Sequence, residues 1–483
     1  MNNKGLFERN LTMLFDFYEL TMANGYFKNG MGDEIAYFDM FFRKVPDNGG
    51  FAIMAGVEQL VEYIKNLHFE EDEIEYLRTK GFGNEFLDYL KNFRFSCDVW
   101  AIKEGTPIFP GEPIITVRGP VIQAQFIETM VLLCINHQSL IATKANRVAR
   151  ASEGRAVMEF GSRRAQGFDG AILGARAAYI GGCAGTACTV TDYEYGVPAL
   201  GTMAHSWIQM FDNELDAFCA YAREYPDNCT LLVDTYNVLK SGIPNAIEAF
   251  RREVLPRGFR PKGVRIDSGD ITYLSKKVRK MLDEAGFEDC KIVASNSLDE
   301  YIIRDMLLQG AQVDSFGVGE RLITASSTPV FGGVYKLCAV EKNGETVPKI
   351  KISENVTKIT TPCFKKVWRL FDRESNKAIA DVLTLFDEKI DDSKPYEIFD
   401  PDYTWKRKTI TNFRAEELLE QIFENGEYIG RNRRIEEIKN YCANQVENLW
   451  DEVKRFENPH TYYVDLSQKL WNEKQRLISE HNT

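Results

Sequence analysis

Between about residues 155 and 345 the chain repeats one pattern. A short apolar run ends in glycines or small polar residues, and a stretch of helical periodicity follows. The runs fall at 156–160, 178–180, 197–200, 230–233, 263–266, 291–294 and 313–316, with 334–340 as a candidate eighth. Alternating strand and helix signals at this spacing predict βα units, and seven or eight of them predict a parallel β/α barrel. An open doubly wound sheet is the competing arrangement. No G-x-G-x-x-G opens a helix in this stretch, which weakens a dinucleotide-binding reading.

The flanks read differently. Residues 1–145 are mixed: a helix capped by Asp16, a strand at 35–43, amphipathic helices at 59–67 and 70–79, short strands over 99–118 broken by Gly and Pro, and a long helix over 123–150. After about 345 the alternation stops. A hairpin is expected over 366–386, then charged helices over 415–424 and 435–456. The expected division is an N-terminal α/β sandwich domain (1–145), a barrel (146–345), and a C-terminal segment (346–483) packing on the first.

A chain of 483 residues can bury a large core. Its formal charge of −12 argues against a general nucleic-acid or anionic-membrane binder, which needs a basic face. It also means that an anionic substrate requires its own arginine cluster. No apolar run approaches the roughly 20 residues of a bilayer span, and Met1 to Asn10 lack a signal-peptide core. The ten cysteines are scattered without a C-x-x-C, as expected of reduced, mostly buried thiols in a cytoplasmic protein. Neither they nor the five histidines show zinc-ligand spacing.

Barrel chemistry sits on the loops after the strands. Those loops carry Arg163 and Arg164; Thr202 and His205; Asp234, Thr235 and Tyr236; Asp267 and Asp270; Ser295 and Asn296; and Gly317 and Gly319. Arg265 lies on a strand itself. Arginines can grip carboxylate or phosphate oxygens in forked geometry. Glycines and small residues expose backbone N–H groups to a phosphate. Asp267 and Asp270 can bind ribose hydroxyls or hold Mg2+ against a diphosphate. His205 can accept a proton or a phosphoryl group. Together they suit a phosphorylated, ribose-like anion. Each also has a plain structural reading: Arg163 and Arg164 as surface charge, D-S-G-D as a turn and helix cap, G-V-G as a tight turn.

Six segments then carry a resemblance: DFYELTMANGY (16–26), EFGSRRAQG (159–167), GTMAHSW (201–207), VRIDSGD (264–270), ASNSLDE (294–300), and GVG (317–319) with GGVYKL (332–337). In this order, and over nearly the whole chain, they resemble the nicotinate phosphoribosyltransferase family. The resemblance implies ATP-coupled transfer of phosphoribose from 5-phosphoribosyl 1-diphosphate to nicotinate. The products are nicotinate mononucleotide, diphosphate, ADP and phosphate, the first step of NAD salvage from nicotinate. It implies His205 as phosphohistidine, and Tyr18 reaching across a homodimer interface to stack on the pyridine ring opposite Phe160. It implies Thr202 and Arg265 on nicotinate, Arg163 as a second site arginine, Asp267 on the ribosyl diphosphate, and Ser295, Asn296, Gly317 and Gly319 on the 5-phosphate. Mg2+ would be carried by the diphosphate, near Asp267 and Asp270, rather than held by a dedicated set of protein ligands. Amide-using relatives carry an aspartate where Ala184 aligns, so the absent acid favours nicotinate over nicotinamide. Glu320 departs from the small hydroxyl residue of the family motif, leaving Arg321 or Thr324 to compensate. Three alternatives stand beside this reading: a nicotinamide-specific transferase, a decarboxylating transferase acting on quinolinate, and a barrel that binds nucleotides without turnover.

Overall fold

The computed structural model of the protein describes residues 10–355 and 358–481. The reading of Met1 to Arg9 as lacking a signal core lies outside the described residues. The chain divides into two compact units, residues 1–140 with 330–483, and residues 141–329.

The second unit is built on a six-stranded sheet in the order Gly185–Thr186, Ala156–Glu159, Ser315–Val318, Lys291–Ser295, Gly263–Ile266, Thr230–Leu232. All five pairings are parallel. A single parallel bridge, Thr186 to Ala199, extends the row by one step. Followed around, the strands keep chain order, and the last, Ser315–Val318, returns to pair with the first, Ala156–Glu159. That is the order of a barrel, not of an open doubly wound sheet. The barrel is irregular: no ladder joins Ala199 to Thr230–Leu232 among the described residues. The strands bury both faces, as parallel strands under helices must; Val264, Ile266, Leu231, Leu232, Ile292 and Ala294 are all fully buried.

Several expected strands move. Residues 178–180 are the last turn of the helix Gly167–Ile180, and the strand comes later, at Gly185–Thr186. Ala175, Ala177, Ala178 and Ile180 are buried inside that helix. A three-residue apolar run cannot distinguish a buried helix from a strand, and alanine favours the helix. Residues 197–200 supply one bridge only, because Pro198 has no N–H to give a ladder. The last barrel strand sits two residues beyond its expected start, at Ser315–Val318. The candidate eighth strand exists, as Gly333–Lys342, but it pairs antiparallel with Ile35–Phe42 in the other unit.

The first unit is an α/β sandwich domain assembled from both ends of the chain. One sheet runs Glu345–Pro348, Gly333–Lys342, Ile35–Phe42, Ile115–Pro120, Asp98–Ile102, Leu419–Glu424, Glu427–Tyr428, antiparallel throughout. A second runs Phe413–Glu417, Lys365–Asp372, Ala378–Leu385, Val464–Leu466. The expected hairpin is the pair Lys365–Asp372 and Ala378–Leu385. The expected helix at 415–424 is instead two strands, Phe413–Glu417 and Leu419–Glu424, which add to different sheets. Its Glu- and Leu-rich composition favours helix locally, but pairing with Lys365–Asp372 and Asp98–Ile102 overrides that preference. The helix expected at 435–456 ends at Glu447, and a final helix, Gln468–His481, was not signalled. The apolar stretch Val121–Ala151 is long enough to cross a membrane by length and composition, yet 72% of its most apolar window is buried in the protein, as in a core helix. All ten cysteines are free and buried.

Candidate active site

The barrel strands end in polar residues that reach toward one another. Ile266 is buried, and the strand Gly263–Ile266 stops there because the Asp267-Ser-Gly269 turn follows, with Gly269 at φ +81°. Asp270 then caps the helix Ile271–Glu284, its carboxylate accepting from the Tyr273 N–H at 2.9 Å. That hydrogen bond gives Asp270 its structural role. Asp267 faces the other way. One carboxylate oxygen accepts a short hydrogen bond from the Ser295 hydroxyl, and the other lies 3.8 Å from His205 Nε2.

His205 opens the short helix His205–Gln209. Its Nδ1 lies 3.1 Å from the Thr235 hydroxyl, so the imidazole is held between Thr235 and Asp267. The His205 and Asp267 side chains remain 40% and 37% exposed, open to a solute. Behind them Asp234, nearly buried, accepts from the Asp267 N–H at 3.0 Å and the Ser268 hydroxyl at 2.6 Å. Its second oxygen, Oδ1, has no hydrogen-bond partner. Asp234 and Thr235 therefore shape the site, although sequence reasoning gave them no role. Their signal was position: both lie just beyond the strand Thr230–Leu232, after Val233.

Arg265 points back across the gap in the barrel. It donates from Nη1 to the Thr202 hydroxyl at 2.9 Å and from Nη2 to the Met203 carbonyl at 3.1 Å. Its Nε is buried without a partner. Burial pushes its pKa below the ordinary guanidinium range, Asp267 and Asp234 oppose that, and nearby Arg163 adds to it. An arginine bonded only to neutral oxygens, with another cation close by, keeps its charge for an anion. Arg163 is exposed and makes no ion pair among the described residues, whereas Arg164 lies 3.9 Å from Glu320.

Phe160, Gly317 and Gly319 belong together. Phe160 N–H donates to the Val318 carbonyl at 2.8 Å. A Cβ on Gly317 would stand 2.5 Å from the Phe160 ring, so glycine is what lets the ring lie against that strand. A Cβ on Gly319 would come within 3.1 Å of the Phe160 carbonyl oxygen. Glu159, fully buried, accepts from the Gly161 N–H and, at 2.6 Å, from the Thr186 hydroxyl, and so fixes the start of the Arg163 loop. Burial raises its pKa, and those two donors pull it back down. Asn296 and Ser297 adopt φ of +92° and +52°, a conformation that costs non-glycine residues energy and turns their backbone sharply after Ser295. Arg321 and Thr324 are engaged locally: Arg321 pairs with Asp299 at 2.5 Å, and Thr324 donates to the Glu320 carbonyl at 2.7 Å.

The structure thus brings together His205, Asp267, Ser295, Arg265 and Thr202, with Phe160, Gly317 and Gly319 forming a second group. Tyr18 belongs to the other unit, on the helix Phe17–Lys28, where its side chain is 45% exposed. Its hydroxyl pairs with Glu128; burial and that carboxylate hold its pKa above the usual phenol range. Among the described residues no group of three or more His, Cys, Asp or Glu side chains could cage a metal ion. The half-exposed Asp267 carboxylate still suits a hydrated Mg2+ that arrives on a diphosphate, since that ion needs only one or two carboxylates beside substrate oxygens.

Three sequence families match the chain. They are described as the nicotinate phosphoribosyltransferase N-terminal domain (residues 13–136), the nicotinate phosphoribosyltransferase family (155–385) and the nicotinate phosphoribosyltransferase C-terminal domain (364–474). The chain is 42% identical to nicotinate phosphoribosyltransferase of Bacillus subtilis, over 99% of its own length and 97% of that protein's. It is 38% identical to a nicotinate phosphoribosyltransferase of Mycobacterium tuberculosis over 96% and 93%. Among solved structures, human nicotinic acid phosphoribosyltransferase superposes with a TM-score of 0.85 at 27% identity, covering 96% of this chain and 99% of that one.

Proposed function

The chain belongs to the nicotinate phosphoribosyltransferase family, and from that premise we propose that the residues gathered around His205 and Arg265 carry its reaction. The enzyme joins nicotinate to phosphoribose from 5-phosphoribosyl 1-diphosphate, coupled to ATP hydrolysis, in NAD salvage. The observation that carries the assignment is the placement of His205 between Thr235 and Asp267, beside an arginine without a carboxylate contact.

In this reading Arg265, Arg163 and the Thr202 hydroxyl hold the nicotinate carboxylate, and Phe160 supports one face of the ring. Ser295, Asn296, Gly317 and Gly319 receive the 5-phosphate. Asp267 contacts the ribosyl diphosphate. The pyridine nitrogen attacks C1 of the ribose while the bond to the diphosphate oxygen breaks. The pyridine nitrogen is already a nucleophile, so no general base is needed, and alignment lowers the barrier. Arg163 and Arg265 stabilise the anions around this centre. Asp267 would face Mg2+ carried on the diphosphate, and the ion would supply positive charge to offset that of the leaving group.

With His205 Nδ1 committed to Thr235, Nε2 takes the γ-phosphoryl group of ATP. The N–P bond forms as the bond to the bridging oxygen breaks, and ADP leaves. Water later cleaves the N–P bond to release phosphate. The half-buried Ala184 supports nicotinate over nicotinamide, because an acid there would repel the substrate carboxylate. Phe17, Tyr18 and Met22 on one helix are 56%, 45% and 37% exposed, which supports a homodimer in which Tyr18 serves the partner's site. Ten reduced, buried thiols fit a cytoplasmic protein.

The test is release of diphosphate and phosphate with nicotinate, phosphoribosyl diphosphate, Mg2+ and ATP, omitting each in turn. His205→Ala should abolish labelling from γ-labelled ATP and remove ATP stimulation. Full ATP-coupled turnover in that variant overturns the assignment. Equal use of nicotinamide would overturn the Ala184 argument, and Tyr18→Ala with unchanged nicotinate KM would overturn the shared site.

A further inference from the structure

None of the residues just assigned lines a cavity of about 460 Å3 in the unit formed by 1–140 and 330–483. Small-molecule sites span roughly 300–1,000 Å3, so it is large enough for a mononucleotide. It lies among the helix Val57–Lys65, the strands Asp98–Ile102 and Leu419–Glu424, and the helix Ile435–Glu447. Val61 and Ile438 supply apolar wall, Tyr428 and Tyr441 two aromatic rings, and Arg431 and Arg433 two cations.

The charge around it is unevenly spent. Glu104 on the wall accepts the Gly56 and Val57 N–H groups at 2.6 and 3.2 Å. Glu420 pairs with Lys103 at 2.5 Å. Glu58 stands exposed at the edge, where water screens it. Arg431 and Arg433, by contrast, meet no carboxylate within ion-pair distance among the described residues. The Arg433 guanidinium lies 5.4 Å from the centre of the Tyr441 ring, which steadies it while leaving its donors free. In a chain of charge −12, two such arginines beside a cavity are a local attraction for an anion.

The wall also offers backbone. Leu419–Glu424 pairs along one edge with Asp98–Ile102. On its other edge Phe423 and Glu424 pair with Tyr428 and Glu427, while the Ile422 carbonyl takes the Ile429 and Gly430 N–H groups. Glu420 and Gln421, which also line the cavity, have no strand beyond them among the described residues. That free edge is too short for strand addition, but its N–H and C=O groups suit the hydrogen-bonding edge of a heterocyclic base. The Tyr428 hydroxyl, 3.0 Å from Asn432 Oδ1, ties the ring to the arginine-bearing loop.

We propose that this cavity binds a nucleoside phosphate, with the phosphate on Arg431 and Arg433 and the base against the tyrosine rings and the free edge of Leu419–Glu424. Since none of its residues takes part in the reaction proposed above, such a ligand acts as an effector rather than a substrate.

AMP is a suitable probe, being neither substrate nor product of the reaction. Calorimetric titration of the full chain should show AMP binding that Arg431→Ala/Arg433→Ala weakens by at least about 10-fold, the loss expected for charged hydrogen bonds. Tyr428→Ala should weaken it independently, and His205→Ala should leave it unchanged. Turnover of the double variant without AMP should equal that of the wild type. Inorganic phosphate alone should bind at least about 10-fold more weakly than AMP if the base is recognised. Any of three results overturns the proposal: no AMP binding up to about 5 mM, AMP binding intact in both the double variant and Tyr428→Ala, or AMP binding lost in His205→Ala. Phosphate binding as tight as AMP binding would reject the nucleoside and leave a plain anion site.

Discussion

Two buried or half-buried arginines, one in each unit, do opposite work. Arg369 in the sandwich unit is 1% exposed and forks onto Asp381, Nε to Oδ1 at 2.8 Å and Nη2 to Oδ2 at 2.6 Å. Nη2 also donates to the Pro107 carbonyl at 2.9 Å, and the rings of Phe109 and Tyr462 pack over the guanidinium. Burial alone would lower its pKa, but Asp381 outweighs burial and holds it firmly charged. Arg265 in the barrel forks onto a hydroxyl and a carbonyl, and its pKa falls. The first arginine has its countercharge inside the fold. The second lacks one in contact, beside a half-exposed histidine and aspartate, and so is prepared for a ligand's charge. An ion pair completed within the protein argues for structure; an incomplete one at strand ends argues for binding.

Breaking the completed pair should have the largest effect. Arg369→Met leaves Asp381 buried without its partner and should cost about 3–5 kcal/mol of stability. Denaturant unfolding measures this, and a loss below about 1 kcal/mol would mean the pair is not the anchor described. Removing the fork of the incomplete arginine should instead spare the fold. Arg265→Lys should lower kcat/KM for nicotinate by about 10- to 100-fold, equivalent to about 1.4–2.7 kcal/mol, with Tm within about 2 °C of the wild type. A large Tm loss with unchanged kinetics would reverse the comparison.

Glu19 in the sandwich unit makes stability depend on pH. Glu19 is fully buried next to Tyr18, accepts from Thr129 at 2.6 Å, and has one oxygen without a partner. Burial chiefly, and Glu128 further, push its pKa up to about 8. Because the folded value lies above the unfolded one, the folded state holds an extra proton between roughly pH 4.5 and 8. Stability from this group is therefore complete at lower pH and declines as pH rises through that window. Thermal unfolding from pH 5 to 8 should show the decline, and Glu19→Gln, which cannot ionise, should flatten it. The smallest effect is expected at Thr235→Ala. Losing one hydrogen bond to His205 Nδ1 should cost about 0.5–1.5 kcal/mol in the phosphorylation step, read as a slower approach to full labelling from γ-labelled ATP.

How far these features can be read from sequence depends on how local they are. The strand Gly263–Ile266 and the helix beginning at Ile271 lie where alternation and a capping aspartate place them. The same local reading fails at 415–424, where a helix-favouring composition is drawn into two sheets by partners far away in the chain. It fails again at 178–180, where an alanine-rich run is too short to declare its period.

The sequence by itself determined the βα rhythm, the loops that hold the polar residues and, through long ordered motifs, the family. Periodicity, capping and motif spacing act between near neighbours, so they are written locally. Only the tertiary structure decided that Arg265 would meet Thr202, 63 residues away, that Asp267 would be shared by His205 and Ser295, and that Asp234 would stand behind it with one oxygen unmet. These contacts exist only once the barrel brings its strand ends together, and which oxygen is satisfied and which stays unmet is settled by that closure.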